Sequence, residues 1–228
     1  PITDPSSGYD PSNPYSNRDP RLSDYIIYNG TNFKSVIYTY VGAPSNGINV
    51  LVSSTRTGYY LKKFMATGVN LNPSNLVSTA HTCVLARMTE LLLNYAEAAN
   101  EAWGPDGDPN GYGFTARSKI GELRARAGIT SPDPYLASIA TKEDMRALIR
   151  NERRLELCFE DFRFWDIRRW KDIATMQSPV RGVFITLEEG VYSYSYSDIE
   201  DRSYTEDMIY GPIPYTETLK YGIVQNKG

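Results

Sequence analysis

Apolar residues recur at intervals of three and four along residues 80–102, and this pattern constrains the fold more than any other feature of the sequence. The recurring residues are Val84, Leu85, Met88, Leu92, Tyr95, Ala96 and Ala99. Such spacing places all of these side chains on one face of an α-helix. We therefore predict a long helix here, with one face buried against the rest of the protein.

Three further segments have the same periodicity. A helix over residues 115–127 carries Ala116, Ile120, Leu123 and Ala127 on one stripe, and Gly128 supplies its stop. A third helix begins at Thr141, an N-cap with Asp144 three residues on, and reaches Phe159. A fourth amphipathic segment covers residues 162–176. We predict a mainly α fold of tetratricopeptide-like helical hairpins with long irregular loops and short β-hairpins.

The β-hairpins are predicted where β-branched and aromatic residues alternate with turn formers. Residues 25–28, 35–41 and 48–54 have the sequences YIIY, SVIYTYV and INVLVSS. In the second of these, Tyr38 and Tyr40 share a strand face with Val36. Residues 191–198 alternate tyrosine with serine and so have one aromatic face. Repeated prolines exclude regular structure from residues 1–21 and from the GPIP segment at 211–214.

Charge and rare residues exclude several functions. The net charge of −3 offers no positive field for nucleic acid. The sequence also has no run of about 18 apolar residues, the length that spans a membrane. Cys83 and Cys158 lie in predicted helices far apart in the sequence, so we expect buried free thiols. A single histidine, His81, is too few for a zinc site or a Ser-His-Asp hydrolase. We predict no cofactor.

A pair of glutamates lies among arginines near the end of the third predicted helix. Glu152 and Glu156 are one turn apart, about 6 Å, a separation that would suit a glycosidase. A general acid needs a raised pKa, however, and the neighbouring arginines keep both carboxylates ionised. We favour a structural ion-pair network that joins two helices. Its predicted members are Glu152, Arg153, Glu156, Arg163, Asp166 and Arg169.

The loop at residues 106–111 resembles the start of a calcium-binding loop. Asp106, Asp108 and Asn110 place oxygens at alternate positions, and Gly111 follows. The position of the bidentate glutamate is taken by Arg117, which repels a cation. We therefore favour a plain turn-rich connection without metal, with calcium as the alternative.

Four stretches, in order, resemble the C-terminal half of proteins of the SusD/RagB family. They are NPYSNRDPRLSDYIIYNG at 13–30, RMTELLLNYAEAANEAWG at 87–104 with ARSKIGELRARAG after it, RNERRLELCFEDFRFWDIRRW at 150–170, and YGPIPYTE at 210–217. The third is the most specific, because it is similar to the family signature ER-x-x-EL followed by R-x-x-D-x-x-RW. It departs from that pattern mainly at Asp161, where glycine is usual.

This resemblance implies a binding protein and not an enzyme. The family has a helical-repeat scaffold, lies on the cell surface of the outer membrane through a lipid anchor, and delivers a glycan to a SusC-like TonB-dependent transporter. The family's lipidated cysteine lies at the mature N-terminus and has no counterpart here. We therefore expect residues 1–228 to be the C-terminal region of a larger one-domain protein, with its membrane anchor outside this chain.

Tyrosines are the best candidates for contacts to an oligosaccharide or polysaccharide. The chain has 18 tyrosines against 7 phenylalanines, and tyrosine combines a flat apolar face with a hydroxyl. The predicted ligand-binding residues are Tyr9, Asn13 and Tyr15 in the proline-rich tract and Tyr38 and Tyr40 after it. Two alternatives stay open: a helical-repeat protein that binds peptides or proteins, which would show aromatics in a helical groove, and a glycosidase.

Overall fold

A computed structural model describes residues 2–227, and helices dominate it. The α-helices in this range are α1 (Arg21–Tyr25), α2 (Met88–Trp103), α3 (Ala116–Arg126), α4 (Pro134–Ser138), α5 (Lys142–Glu156), α6 (Phe162–Arg169), α7 (Ile173–Gln177) and α8 (Tyr215–Tyr221). The strands are β1 (Ile26–Ile27), β2 (Thr31–Phe33), β3 (Ser35–Ile37), β4 (Tyr60–Leu61), β5 (Val180–Glu188) and β6 (Val191–Glu200). They form antiparallel pairs β1–β4, β2–β3 and β5–β6.

Helices α2, α3 and α5 pack together and bury most of the apolar core. The α2 face that meets the other helices carries Leu93, Ala96 and Ala99, which are at most 2% exposed. Small alanines let the helix axes approach closely, and Ile120 of α3 and Met145 of α5 fill the space between them. The prediction of a helical fold is confirmed, whereas a repeated tetratricopeptide-like unit stays a prediction.

Side-chain caps set the helix starts where the sequence predicted them. The Thr115 hydroxyl accepts from the Ser118 backbone N–H in a reciprocal capping box, and the Thr141 hydroxyl accepts from the Asp144 N–H at 3.0 Å. Gly128 follows α3 at φ +86°, a left-handed conformation that favours glycine. The starts of α3 and α5 are therefore determined locally.

The prediction that the first long helix begins near residue 80 was wrong by two turns. Residues 80–86 are exposed and irregular, and α2 begins at Met88. Arg87 explains the difference. Its side chain donates to Glu156 and Glu160, and its backbone is extended at φ −143° and ψ 157°. These tertiary ion pairs hold Arg87 out of the helix, and no apolar surface covers Val84 or Leu85, which are both exposed.

The third and fourth predicted helices were too long. Helix α5 ends at Glu156 instead of Phe159, and the segment 162–176 divides into α6 and α7 because Lys171 adopts a φ of +52°. Phe159 and Asp161 also have positive φ, +62° and +64°, in the turn between α5 and α6. This turn carries the α6 side chains away from the direction that a continuous helix would give them.

The β-structure is less regular than predicted at the start of the chain and longer at its end. Residues 48–54 form turns and not a strand, and Val50, Leu51 and Val52 are exposed. Strands β5 and β6 form a long hairpin whose turn residues Glu189 and Gly190 both have positive φ, as a type I′ turn requires. This hairpin is the platform on which the N-terminal segments pack.

Two backbone hydrogen bonds attach the N-terminal half of the chain to the hairpin. The Val41 N–H donates to the Ile185 carbonyl at 2.8 Å, and the Val183 N–H donates to the Thr57 carbonyl at 2.9 Å. Near the other end, the predicted GPIP segment is irregular and runs into α8, which the sequence did not predict. None of the helices within residues 2–227 is long and apolar enough to span a lipid bilayer.

Candidate functional site

Strand β6 presents a row of tyrosines on the inner face of the hairpin. Tyr192, Tyr194 and Tyr196 alternate with serine, and the register pairs Tyr194 with Ile185 and Tyr196 with Val183. Cross-strand partners lie on the same face of a sheet, and Ile185 and Val183 are fully buried. The tyrosine row therefore faces the N-terminal segments of the chain.

Tyr15 is the centre of the contacts that these segments make. Its ring stacks on Tyr28 at 4.2 Å between centroids and meets the ring of Tyr194 edge-on at 5.8 Å. Tyr59 approaches from a third direction at 6.4 Å. Burial, followed by the nearby Tyr59 and Tyr194, raises the pKa of Tyr15 well above its usual range, so the hydroxyl stays protonated.

Both ends of the β6 row also meet predicted residues. At one end, burial and the neighbouring Tyr9 hydroxyl raise the pKa of Tyr196, and the Arg18 guanidinium lies 5.7 Å from the Tyr9 ring centroid. At the other end, the Tyr40 ring lies 6.0 Å from Tyr192 and 5.9 Å from Tyr38. Neither Tyr38 nor Tyr40 lies on a strand, because β3 ends at Ile37.

We call the resulting group the tyrosine cluster. It consists of Tyr9, Tyr15, Tyr28, Tyr38, Tyr40, Tyr59, Tyr192, Tyr194 and Tyr196. Four of the five predicted ligand residues belong to it. The fifth, Asn13, is exposed, and its backbone carbonyl accepts from the Ser16 N–H. The β6 tyrosines were missing from the predicted ligand set, although their alternation with serine was a signal that could have found them.

Access to the cluster is greatest at two rings. Tyr38 is 41% exposed and Tyr196 is 46% exposed, whereas Tyr9, Tyr15, Tyr28, Tyr40, Tyr59, Tyr192 and Tyr194 are partly buried. The buried rings fix the positions of the exposed ones. The result is a surface of aromatic faces and hydroxyls, which can pack against apolar C–H groups and exchange hydrogen bonds at the same time.

The two glutamates lie deep in the protein and are bound by arginines. Glu152 is 0% exposed and pairs with Arg21 at 2.9 Å and Arg124 at 2.6 Å. Glu156 accepts from Arg87 at 2.9 Å and from Arg21 at 3.2 Å. Burial would raise the pKa of Glu156, but hydrogen bonds from Arg87 and Arg21 and the charge of Arg126 lower it overall.

The partners of the glutamates differ from those expected. The arginines come from α1, α3 and the segment before α2, whereas the sequence favoured Arg153, Arg163 and Arg169. Arg153 instead binds Asp166 through two hydrogen bonds of 2.8 and 3.0 Å, and Arg169 donates to Asp166 at 2.9 Å. There are thus two ion-pair groups in place of one.

Arg163 does not join the ion-pair network that the sequence predicted. Within residues 2–227 its guanidinium has no carboxylate within 4.0 Å, the limit for an ion pair. The turn with positive φ at Phe159 and Asp161 turns Arg163 away from the glutamates, so helical spacing alone misplaced it.

In the loop at 106–111, protein groups engage each predicted calcium ligand. Asp106 accepts from Arg117 at 2.7 Å, Asp108 accepts from two backbone N–H groups, and Asn110 donates to the Tyr112 hydroxyl. No cluster of three acidic, histidine or cysteine side chains suited to a metal occurs in the part of the chain that the structure describes. Calcium at this loop stays a prediction, and Arg117 would compete with it.

The remaining singled-out side chains differ partly from expectation. Cys83 is exposed and lies outside any helix, so the prediction of a buried thiol was wrong there, whereas Cys158 is half-buried. Trp165 is 65% exposed. Trp170 donates its indole N–H to Glu97 at 2.7 Å, and the His81 ring meets Phe64 edge-on at 6.2 Å.

Comparison with known proteins places the chain in a family. A family model described as the SusD family matches residues 3–228. The chain belongs to the SusD family. It is 31% identical over 116 residues to a SusD-like protein called P38 from Formosa agariphila, which covers 50% of this chain and 22% of the relative. A crystal structure of a SusD-like protein from Bacteroides fragilis superposes with a TM-score of 0.70 at 27% identity.

The SusD-like crystal structure covers 94% of this chain, and the chain spans 40% of that structure's length. The likeness in fold therefore extends over nearly all of the chain. The chain spans well under two thirds of both relatives.

Proposed function

We propose that this chain binds a glycan at the tyrosine cluster. The observation that carries the proposal is the alignment of three β6 tyrosines with Tyr15 and Tyr40 on one surface, since these residues come from distant parts of the sequence. Pyranose rings present apolar C–H faces and equatorial hydroxyls together. A surface of aromatic faces with attached hydroxyls complements both.

The glycan leaves the site uncleaved. Glycosidases use a carboxylic acid with a raised pKa and a second carboxylate that flank an open cleft. Glu152 and Glu156, the pair that came closest to this pattern in the sequence, are buried, and arginines lower the pKa of Glu156. Membership of the SusD family supports a binding role in the same way.

Delivery to a transporter is the second part of the proposal. SusD-family membership supports a location on the outer-membrane surface through a lipid anchor, and a SusC-like TonB-dependent transporter as the protein partner. A soluble binding domain beside a transporter raises the local concentration of its substrate. Co-purification of the transporter with the protein after detergent extraction tests this part, and recovery without any such transporter would contradict it.

The glycan-binding part is tested with a panel of purified neutral and acidic polysaccharides. Affinity electrophoresis measures retention, and a reducing-end assay on the same samples measures cleavage. We expect retention by at least one polymer without release of reducing ends. Release of new reducing ends would contradict the binding-only function, and absence of retention across the panel would contradict glycan binding.

Substitution of two exposed tyrosines tests the location of the proposed site. Tyr196→Ala and Tyr38→Ala should each weaken retention by about tenfold, the change that about 1.4 kcal/mol produces. Tyr112→Ala is the matched control, because Tyr112 is 54% exposed but stacks on Phe114 in the loop between α2 and α3. Equal losses in all three variants would mean that the tyrosine cluster is not the site.

A further inference from the structure

A second aromatic surface lies at the turn between α5 and α6, apart from the tyrosine cluster. Phe159, Phe164 and Trp165 are 49%, 50% and 65% exposed there. They border a cleft of about 470 Å³ that Leu157, Asp161 and Arg163 complete. Ligand clefts commonly have volumes of about 300–1,000 Å³. Exposed large aromatics around a cleft of this size indicate a binding surface.

Arg163 supplies a charge inside this cleft that has no direct partner among the described residues. Its guanidinium makes no ion pair or hydrogen bond with any other residue of 2–227, although it is half-buried. Burial lowers the pKa of Arg163, and the charge of Arg154 lowers it further, whereas Asp172 and Asp166 act in the opposite direction. Partly desolvated arginines normally have anionic partners.

Other arginines on this surface are also without acidic partners. Arg168 lies over the Phe164 ring at 3.5 Å from the centroid and 5.6 Å from the Tyr204 ring, and it donates to the Phe164 carbonyl at 3.2 Å. Among residues 2–227, no carboxylate lies within 4.0 Å of Arg154, Arg168 or Arg202. Asp161 is the acidic residue in the cleft lining. The surface therefore carries several arginines without ion-pair partners, on a chain whose net charge is −3.

The backbone at the cleft edge is held in a disfavoured conformation. Phe159 and Asp161 have φ of +62° and +64°, a region that costs free energy for residues other than glycine. This conformation ends α5 and turns α6 so that Arg163 and Trp165 face the cleft side. Such strain is concentrated at ligand sites, where the surrounding structure holds it.

We propose that this cleft binds an acidic sugar unit, with its carboxylate or sulfate on Arg163 and its ring against Trp165. Planar guanidinium groups bind such oxyanions through paired hydrogen bonds, and an exposed indole offers the largest flat face for a sugar. The choice of a sugar over an acidic peptide rests on the proposed function. The cleft itself uses none of the tyrosine-cluster residues.

The test compares polymers that share a sugar backbone but differ in whether they carry acidic groups. Isothermal titration calorimetry measures binding of the purified protein to a polyuronate and to its full methyl ester, and to a sulfated galactan and its desulfated form. We expect the charged form to bind more tightly in at least one pair. Arg163→Gln should weaken binding of that charged form by about tenfold or more, since charge-assisted hydrogen bonds are the strong ones. Its affinity for the neutral form should not change.

Two further variants separate charge from stacking. Trp165→Ala should weaken both members of the pair, because it removes the ring face and leaves the charge. Arg181→Gln is the matched control: Arg181 is an exposed arginine on β5, and its replacement should change neither affinity. Thermal melts verify that each variant is folded, and unchanged binding of the neutral form provides a second check for Arg163→Gln.

Three outcomes would overturn the inference. Equal binding of charged and neutral forms would show that the protein has no preference for acidic sugars. Unchanged affinity of the Arg163→Gln variant for the charged form would show that the acidic group binds elsewhere. Binding of poly-glutamate with the same dependence on Arg163 would assign the cleft to an acidic peptide. In the first two cases glycan binding at the tyrosine cluster would stand. Binding of no polymer at all would instead contradict the proposed function.

Discussion

Replacing Arg153 with alanine should destabilise the helical core by several kcal/mol, and the reason is the environment of its partner. Arg153 is 4% exposed at its side chain and donates twice to Asp166, which is 5% exposed. A third hydrogen bond runs from Arg153 to the Asn94 side-chain oxygen at 2.6 Å. After the substitution, Asp166 would keep the Arg169 hydrogen bond at 2.9 Å while losing its buried counter-charge.

Leaving one member of a buried ion pair without its partner costs about 3–5 kcal/mol. The exposed pair between Arg146 and Glu101 has a similar double hydrogen bond, of 2.5 and 2.6 Å, but its side chains are 30% and 40% exposed. Water replaces the lost contact there, so Arg146→Ala should cost about 0.2–1 kcal/mol. The two variants therefore compare the same geometry at different burial.

Urea denaturation followed by circular dichroism measures both free energies of unfolding. A third variant, Arg153→Met with Asp166→Leu, removes both charges and keeps apolar volume, and it should recover most of the loss. Affinity for glycan per folded molecule should be the same in all three. Similar losses in Arg153→Ala and Arg146→Ala would refute the argument from burial. A stable Arg153→Ala variant without glycan binding would mean that a ligand site had been mistaken for a structural pair.

Two other predictions concern the same region. Asp161→Gly should raise the melting temperature and stabilise the fold by about 0.5–1 kcal/mol, because Asp161 has a φ of +64° and makes no capping hydrogen bond. Asp161→Ala, which keeps the strain, should bring no gain. The second concerns pH: the pKa of Glu156 is lowered from 4.5, so its stabilisation is complete above that pH and is lost as pH falls below it. The stability gap between the native chain and Glu156→Gln should accordingly narrow on acidification in denaturant titrations, and a constant gap would contradict it.

Local patterns in the sequence determined the starts of α3 and α5 and the end of α3. The stripe on α3, the N-caps at Thr115 and Thr141, and the glycine stop at Gly128 all depend on residues within a few positions of one another. Helical periodicity and capping are short-range effects, so a linear sequence reports them directly. The motif at 150–170 likewise identified the family, because its side chains are defined by their order along the chain.

Tertiary structure decided which side chains meet. The spacing of Glu152 and Glu156 predicted arginine partners but could not select Arg21 or Arg124, which α1 and α3 bring from distant positions. Helix spacing placed Arg163 in the network, but the connection between α5 and α6, where Phe159 and Asp161 have positive φ, turns it away.

The tyrosine cluster has the same origin. Alternation with serine gave β6 an aromatic face, but only the pairing of β6 with β5 and the packing of the N-terminal segments set Tyr194 beside Tyr15 and Tyr192 beside Tyr40. Contacts between residues far apart in sequence depend on the packing of whole elements, and short-range periodicity carries no information about that packing.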